Sequence, residues 1–147
     1  MAAAEAAGNR SNTPLYLALL AEALAFAGKV EEGLAALDNA LATAAISGAR
    51  GWDAEIHRLR GELTARLPHP DPAKAEDSFR TALAIAREQG TRGYELRAAT
   101  SLARLWREQG RLAEARDLLA PLYGWFTEGF DTADLKDAKA LLDELSI

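Results

Sequence analysis

The stretch ALATAAISGARGWD at residues 40–53 returns as ALAIAREQGTRGYE at residues 82–95. When the two stretches are aligned with a shift of 42 residues, seven of the fourteen positions are identical, and Trp52 falls on Tyr94. A period near 40 in an alanine-rich sequence is typical of stacked helical hairpins. Each hairpin of such a stack buries its apolar face only against its neighbours. The repeat therefore predicts an all-α protein.

The chain has 147 residues, which is enough for one domain with a hydrophobic core. Its 17 basic and 22 acidic residues give a formal charge of −5, which argues against nucleic acid as a partner. No cysteine is present, so disulfide bonds and thiolate metal sites are excluded. No apolar stretch is long enough to span a bilayer, and the N-terminus lacks the pattern of a signal peptide. We therefore expect a cytoplasmic protein that does not bind membranes.

Cap residues and apolar spacing predict seven helices and no strand. The first helix begins at Thr13-Pro14, since threonine is a common cap and proline suits the first turn. Four residues at helical spacing form its predicted apolar face: Leu17, Leu20, Ala21 and Leu24. The last helix is predicted to begin at Asp131, which caps it. The predicted domain covers residues 13–147, and residues 1–12 are interpreted as a flexible tail or the stub of a longer protein.

Small residues recur where the two helices of a hairpin are expected to touch. The same separation of 12 residues joins Ala21 to Gly33 and Ala103 to Ala115. Small side chains let two helix axes approach to about 8 Å. We therefore expect a large residue at Gly33, Ala75 or Ala115 to overpack the interface, at a cost of about 1–3 kcal/mol.

This pattern of small residues resembles the tetratricopeptide repeat (TPR). The clearest matches are GKVEEGL at residues 28–34 and GRLAEAR at residues 110–116. The resemblance covers about residues 14–124. It implies a right-handed α-solenoid of three TPR-like helical hairpins plus a C-terminal capping helix. The period near 40 departs from the usual TPR length of about 34 residues.

The C-terminal segment is similar to a more specific family. Residues 119–132 read LAPLYGWFTEGFDT, residues 135–142 read LKDAKALL, and residues 55–63 read EIHRLRGEL. These segments resemble the extreme C-terminus of large bacterial signalling proteins of the adenylate or guanylate cyclase type. That resemblance implies a cyclase or DNA-binding domain first, an AAA-type ATPase domain next and a TPR array last. The cyclase aspartates and the ATPase phosphate loop are missing here, so neither activity is expected of this chain.

Catalytic and metal sites find little support in the sequence. His57 and His69 are the only histidines. Asp53 and His57 stand four residues apart and would share a metal ion on one helix face, although a simple histidine–carboxylate pair is the commoner outcome. The segment GTRG at residues 90–93 lacks the ending of a P-loop, so it is interpreted as a helix cap and turn. We expect no enzymatic activity, no cofactor and no metal.

A groove along the first helices of the hairpins is the stronger candidate. In TPR-like proteins these helices line the concave face, and helical spacing predicts ten groove residues here: Glu22, Phe26, Arg58, Glu62, Arg66, Arg97, Thr100, Arg104, Arg107 and Glu108. Their balance is positive in a chain that is negative overall. Because arginine holds carboxylates with two parallel hydrogen bonds, the expected ligand is an acidic peptide or acidic C-terminus. The alternative is that pairs such as Arg58–Glu62 merely cover a solvated helix.

The predicted function is that of a non-catalytic protein-interaction or sensory module in signal transduction. Its partner is a protein or peptide segment, and in a longer parent protein one of the parent's own domains. A first alternative is a self-associating scaffold, a homodimer formed through exposed Leu15, Leu19 or Phe26. A second is a small-molecule or enzymatic site between helices, which needs a deep polar pocket around His57. Four aromatic residues are expected to pack on the last helix and cap the domain: Tyr123, Trp125, Phe126 and Phe130.

Overall fold

The computed structural model describes residues 13–48 and 50–146. Within these ranges it contains seven α-helices and no strand, so the all-α prediction is confirmed. The helices are α1 Thr13–Phe26, α2 Val30–Ser47, α3 Asp53–Thr64, α4 Pro72–Gln89, α5 Arg92–Glu108, α6 Leu112–Trp125 and α7 Ala133–Leu145. The predicted tail at residues 1–12 lies outside the described residues. No helix in the part that the structure describes is long and apolar enough to cross a membrane.

Local sequence signals explain where the helices stop and start. Gly48 and Gly90, two of the positions matched in the internal repeat, end α2 and α4 with φ values of 76° and 70°. Glycine adopts this left-handed conformation without steric cost. Asp71 caps α4, because its carboxylate accepts a hydrogen bond from the backbone N–H of Lys74 at 3.2 Å. Both ends of α4 therefore follow the sequence prediction.

The helices pack in a regular order. Each helix contacts the next one along the chain, and the odd-numbered helices also contact each other: α1 with α3, α3 with α5, and α5 with α7. The odd helices begin at Thr13, Asp53, Arg92 and Ala133, so their starts lie 40, 39 and 41 residues apart. Helix α7 thus follows α5 as α5 follows α3.

Two clusters of buried apolar residues form the core. One joins α1, α2 and α3, and the other joins α4, α5, α6 and α7. In α1 the buried residues are Pro14, Ala18, Ala21 and Ala25, whereas Leu20 is exposed. The prediction of Leu20 on the buried face was therefore wrong. The stripe of small residues faces inward because it permits the close approach of α1 to α2.

Two glycines mark the closest helix contacts. A Cβ atom on Gly33 of α2 would lie 2.9 Å from the backbone oxygen of Ala21 in α1, as the 12-residue spacing predicts. A Cβ atom on Gly61 of α3 would lie 2.5 Å from the ring of Phe79 in α4. Both distances are shorter than normal carbon contacts. Any side chain at either position would force the neighbouring helix to move.

The C-terminal end departs from the prediction in two details. Helix α7 begins at Ala133 and is preceded by Thr132, so Asp131 does not cap it. The hydroxyl of Thr132 instead donates a hydrogen bond to the carbonyl of Gly129 at 2.7 Å, which fixes the turn before the helix. Of the four aromatic residues, Tyr123 and Phe126 pack against the core, as expected. Trp125 and Phe130 remain exposed, so they were wrongly predicted as buried.

Candidate functional site

Three adjoining concavities run along one face of the protein, and we call them together the groove. Side chains of the odd helices α1, α3, α5 and α7 form most of its lining. The concavities are continuous because they share residues, and Arg104 of α5 lines all three. The odd helices can supply one common surface because they contact each other directly.

Nine of the ten predicted groove residues line these concavities. The exception is Arg107, which forms an ion pair with Glu144 of α7 and lies outside the groove. Its prediction was wrong because α7 packs beside α5 and provides a carboxylate there. Thr100 lines the groove but is buried, and its hydroxyl donates to the carbonyl of Leu96 at 2.8 Å.

A chain of ion pairs occupies one section of the groove, which we call the paired section. Glu55 of α3 is buried and accepts hydrogen bonds from Arg58 at 2.5 Å and from Arg97 of α5 at 3.2 Å. Arg97 also donates to both carboxylate oxygens of Asp134 in α7, at 3.0 and 2.9 Å. These contacts tie three successive odd helices together through charged groups.

The pKa shifts of the arginines agree with this geometry. Burial disfavours the charged form of Arg58, but the hydrogen bonds and charge of Glu55 outweigh burial and raise its pKa. Burial likewise opposes the charge of Arg97, while Asp134 and Glu55 raise its pKa. Both guanidinium groups are therefore satisfied by carboxylates of the chain itself, and neither is available to a ligand without breaking an existing ion pair.

The sequence prediction missed the acidic groups of the groove. Glu55, Asp134 and Asp137 also line it, so six acidic residues face four arginines across the three concavities. The predicted positive balance was therefore wrong. Helical spacing offered a signal for Glu55, which lies three residues before Arg58 on the same helix face. No local signal located Asp134, because its place depends on how α7 packs.

The other section of the groove differs, and we call it the open section. It contains Arg104, Arg66 and the 93% exposed ring of Phe26. Among the residues that the structure describes, the side chains of Arg104 and Arg66 make no ion pair or hydrogen bond. Arg104 is half-buried and Arg66 is exposed. A partly buried guanidinium without an anion is an incomplete arrangement, since its five N–H donors lack acceptors from the protein.

The histidines do not form a second site. No group of three histidine, cysteine or carboxylate side chains suited to a metal ion occurs in residues 13–48 and 50–146. Burial raises the pKa of Asp53 and lowers the pKa of His57, so both groups are shifted toward their neutral forms. One carboxylate oxygen of Asp53 has no hydrogen-bond partner among the described residues. His69 lies exposed in the loop before α4.

Comparison with known proteins adds one relative. No family model matches the chain. A protein of Rhizobium meliloti (strain 1021), described as an uncharacterized protein, is 35% identical over 98 residues. The matched region is 67% of this chain but 9% of that protein. The chain therefore spans a small part of its relative's length, and the similarity assigns no activity.

Proposed function

We propose that this chain is a non-catalytic TPR-like interaction module whose groove binds an acidic segment of a partner protein. The observation that carries the proposal is the state of Arg104, which lines every part of the groove, is half-buried and has no anion from the described chain. Arginine prefers a carboxylate held through two parallel hydrogen bonds. A ligand carboxylate would complete the arrangement that Arg104 leaves open.

The composition of the open section refines the expected ligand. Arg66 lines the same concavity as Arg104, so a second acidic group of the ligand would have a partner. The exposed ring of Phe26 at the edge of this concavity favours an apolar ligand residue next to the acidic ones. Glu22 and Glu62 flank the arginines and would repel a ligand with a different spacing of carboxylates.

The repeat organisation supports the architecture that we propose. Odd helices that start 39–41 residues apart and contact each other fit a right-handed solenoid of helical hairpins. Helix α7 corresponds to the first helix of a fourth repeat and would act as its cap. We further propose that the module is the C-terminal regulatory part of a cyclase-type signalling protein, because residues 119–142 resemble that family.

Peptide binding tests the groove directly. We would measure fluorescence anisotropy with a short labelled peptide that contains several glutamates and one leucine, and with its counterpart in which glutamine replaces every glutamate. We expect the acidic peptide to bind more tightly. Arg104→Gln should weaken this binding about tenfold or more, because a hydrogen bond to a charged group contributes about 1.5–3 kcal/mol.

The matched control is Lys74→Gln, which removes one positive charge from an exposed side chain of α4 outside the groove. This variant should bind the acidic peptide within about twofold of the unmodified chain, since a distant exposed charge is screened by salt. Equal binding of the acidic and amide peptides, or equal losses in the Arg104 and Lys74 variants, would contradict recognition by the groove.

The proposed parent protein has a separate test in the gene. An open reading frame that continues upstream of Met1 into cyclase or ATPase sequence is expected, and the parent's own domains would then be tested as groove ligands. A stop codon just upstream would instead favour a free-standing adaptor with separate partners.

A further inference from the structure

Helix α1 carries large apolar side chains on its outer face. Tyr16, Leu19, Leu20 and Phe26 are 66%, 56%, 39% and 93% exposed. Their spacing of three, four and ten residues from Tyr16 places them on one side of the helix. Four of the eight large apolar side chains that are exposed in the described part of the chain therefore lie on this single face.

The opposite face of α1 is also apolar. Pro14, Ala18, Ala21 and Ala25 are buried against the rest of the domain. A helix at the surface of a protein normally presents charged or polar residues to water. A helix that is apolar on two sides has instead the composition of a helix packed between two neighbours. Glu22 is the only charged residue of its fourteen.

The packing within the chain shows which kind of neighbour is missing. Helix α3 packs against α1 on one side and α5 on the other, and α5 lies in the same way between α3 and α7. Helix α1 contacts α3 but has no odd helix on its other side among the described residues. The uncovered face of α1 is thus open on the side where another helix of the same kind would fit.

We propose that a second copy of this chain covers this face, with the two α1 helices packed against each other across a two-fold axis. A two-fold interface places the same surface on both partners, so it requires a self-complementary patch. The outer face of α1 meets this requirement, because Tyr16, Leu19, Leu20 and Phe26 carry no charge that would be placed opposite itself. A highly charged partner would find no complementary group there.

The area of the patch is sufficient for a weak dimer. With side-chain areas of about 150–250 Å² for aromatic residues, the four exposed side chains present on the order of 500 Å² of surface. Two copies would together bury about 1,000 Å², which is the lower end of the range for specific interfaces. The dimer is therefore expected to dissociate in the micromolar range rather than to be permanent.

The association state of the whole chain tests this inference. We would measure molar mass by light scattering after size-exclusion chromatography, from low micromolar to several hundred micromolar protein. We expect a dimer at the upper end of this series. Leu20→Glu should raise the dissociation constant at least tenfold, whereas Leu112→Glu should leave it within about twofold. The comparison is matched, because Leu20 and Leu112 are both 39% exposed and Leu112 lies on α6.

Site-specific crosslinking provides a second measurement that does not require a charge in the patch. The chain has no cysteine, so a single introduced thiol reports only on its own position. Tyr16→Cys, Leu19→Cys and Ala23→Cys sample the face, and at least one should form a disulfide-linked dimer under mild oxidation, whereas Leu112→Cys should not. A monomer at every concentration, or a dimer that Leu20→Glu leaves intact, would overturn the proposal. This result would leave the groove untouched, since peptide binding is measured below the concentration of dimerisation.

Discussion

The N-terminal and C-terminal helices of this chain are both terminal odd helices, but they meet solvent in opposite ways. Helix α7 buries Leu135, Leu141 and Leu145 against its neighbours and carries six charged residues among its thirteen. Helix α1 buries small residues and exposes Tyr16 and Leu19, with one charged residue among fourteen. The difference lies in the number of apolar faces, which is one in α7 and two in α1. An amphipathic helix can end a row of helices, whereas a helix with two apolar faces calls for a neighbour on each side.

The largest expected effect separates the two ends by stability. Leu141→Ala should lower the free energy of unfolding by about 2–5 kcal/mol, because it leaves a cavity where α7 packs on the core. Leu19→Ala should change it by less than about 0.5 kcal/mol when measured below the concentration of dimerisation. Urea denaturation of both variants measures the difference. Similar losses at the two positions would show that α1 is as well buried as α7.

A second prediction concerns the inner side of the open end. Gly33→Ala should lower the free energy of unfolding by about 1 kcal/mol, since its Cβ atom would press on the backbone oxygen of Ala21 and on Leu63. Gly124→Ala in α6 is the matched control, because no atom lies within 4 Å of the added Cβ atom. That variant should gain up to about 1 kcal/mol from helix propensity. Thermal unfolding should show shifts of opposite sign, and equal shifts would mean that α1 and α2 are not in close contact.

The packing of α1 also shows how far the sequence could predict the fold. Its helix bounds followed from Thr13-Pro14 and the glycine turn, which are local signals. The choice of buried face did not, because Leu20 and Ala21 belong to two apolar stripes of equal periodicity. The stripe that faces inward is set by Gly33 on the neighbouring helix, which requires small partners. Periodicity identifies apolar faces, but the contact partner selects between them.

The groove shows the same limit. Nine residues were brought together as helical spacing predicts, because one face of an odd helix is a local property. The misplaced Arg107 and the missed Asp134 both depend on α7, whose position is a tertiary property. The acidic residues that α7 contributes change the charge balance of the groove. Its electrostatics could therefore not be predicted from the spacing on single helices.

A third prediction tests the ion pair that fastens the closed end to the groove. Asp134→Asn removes the carboxylate that accepts both hydrogen bonds from Arg97. The free energy of unfolding should fall by less than about 1 kcal/mol, because both side chains are partly exposed to solvent. Affinity for an acidic peptide should rise, since Arg97 would then be available to the ligand. A weaker affinity, measured by anisotropy, would show that α7 supports the binding site rather than competing for its arginines.

The smallest expected effect is a pH dependence in the half of the core that contains α1. Burial lowers the pKa of His57 below 6.5, so the folded state favours the neutral imidazole. This contribution to stability is fully present above pH 6.5 and is lost as the pH falls through the lowered pKa of the folded state. His57→Gln should therefore flatten the decline of the melting temperature between pH 6.5 and the region near pH 4.5 where glutamates titrate. His69→Gln is the control, because that side chain is exposed in a loop. If the melting temperature of the His57 variant falls as steeply as that of the unmodified chain, burial of this imidazole contributes nothing measurable to the α1–α3 cluster.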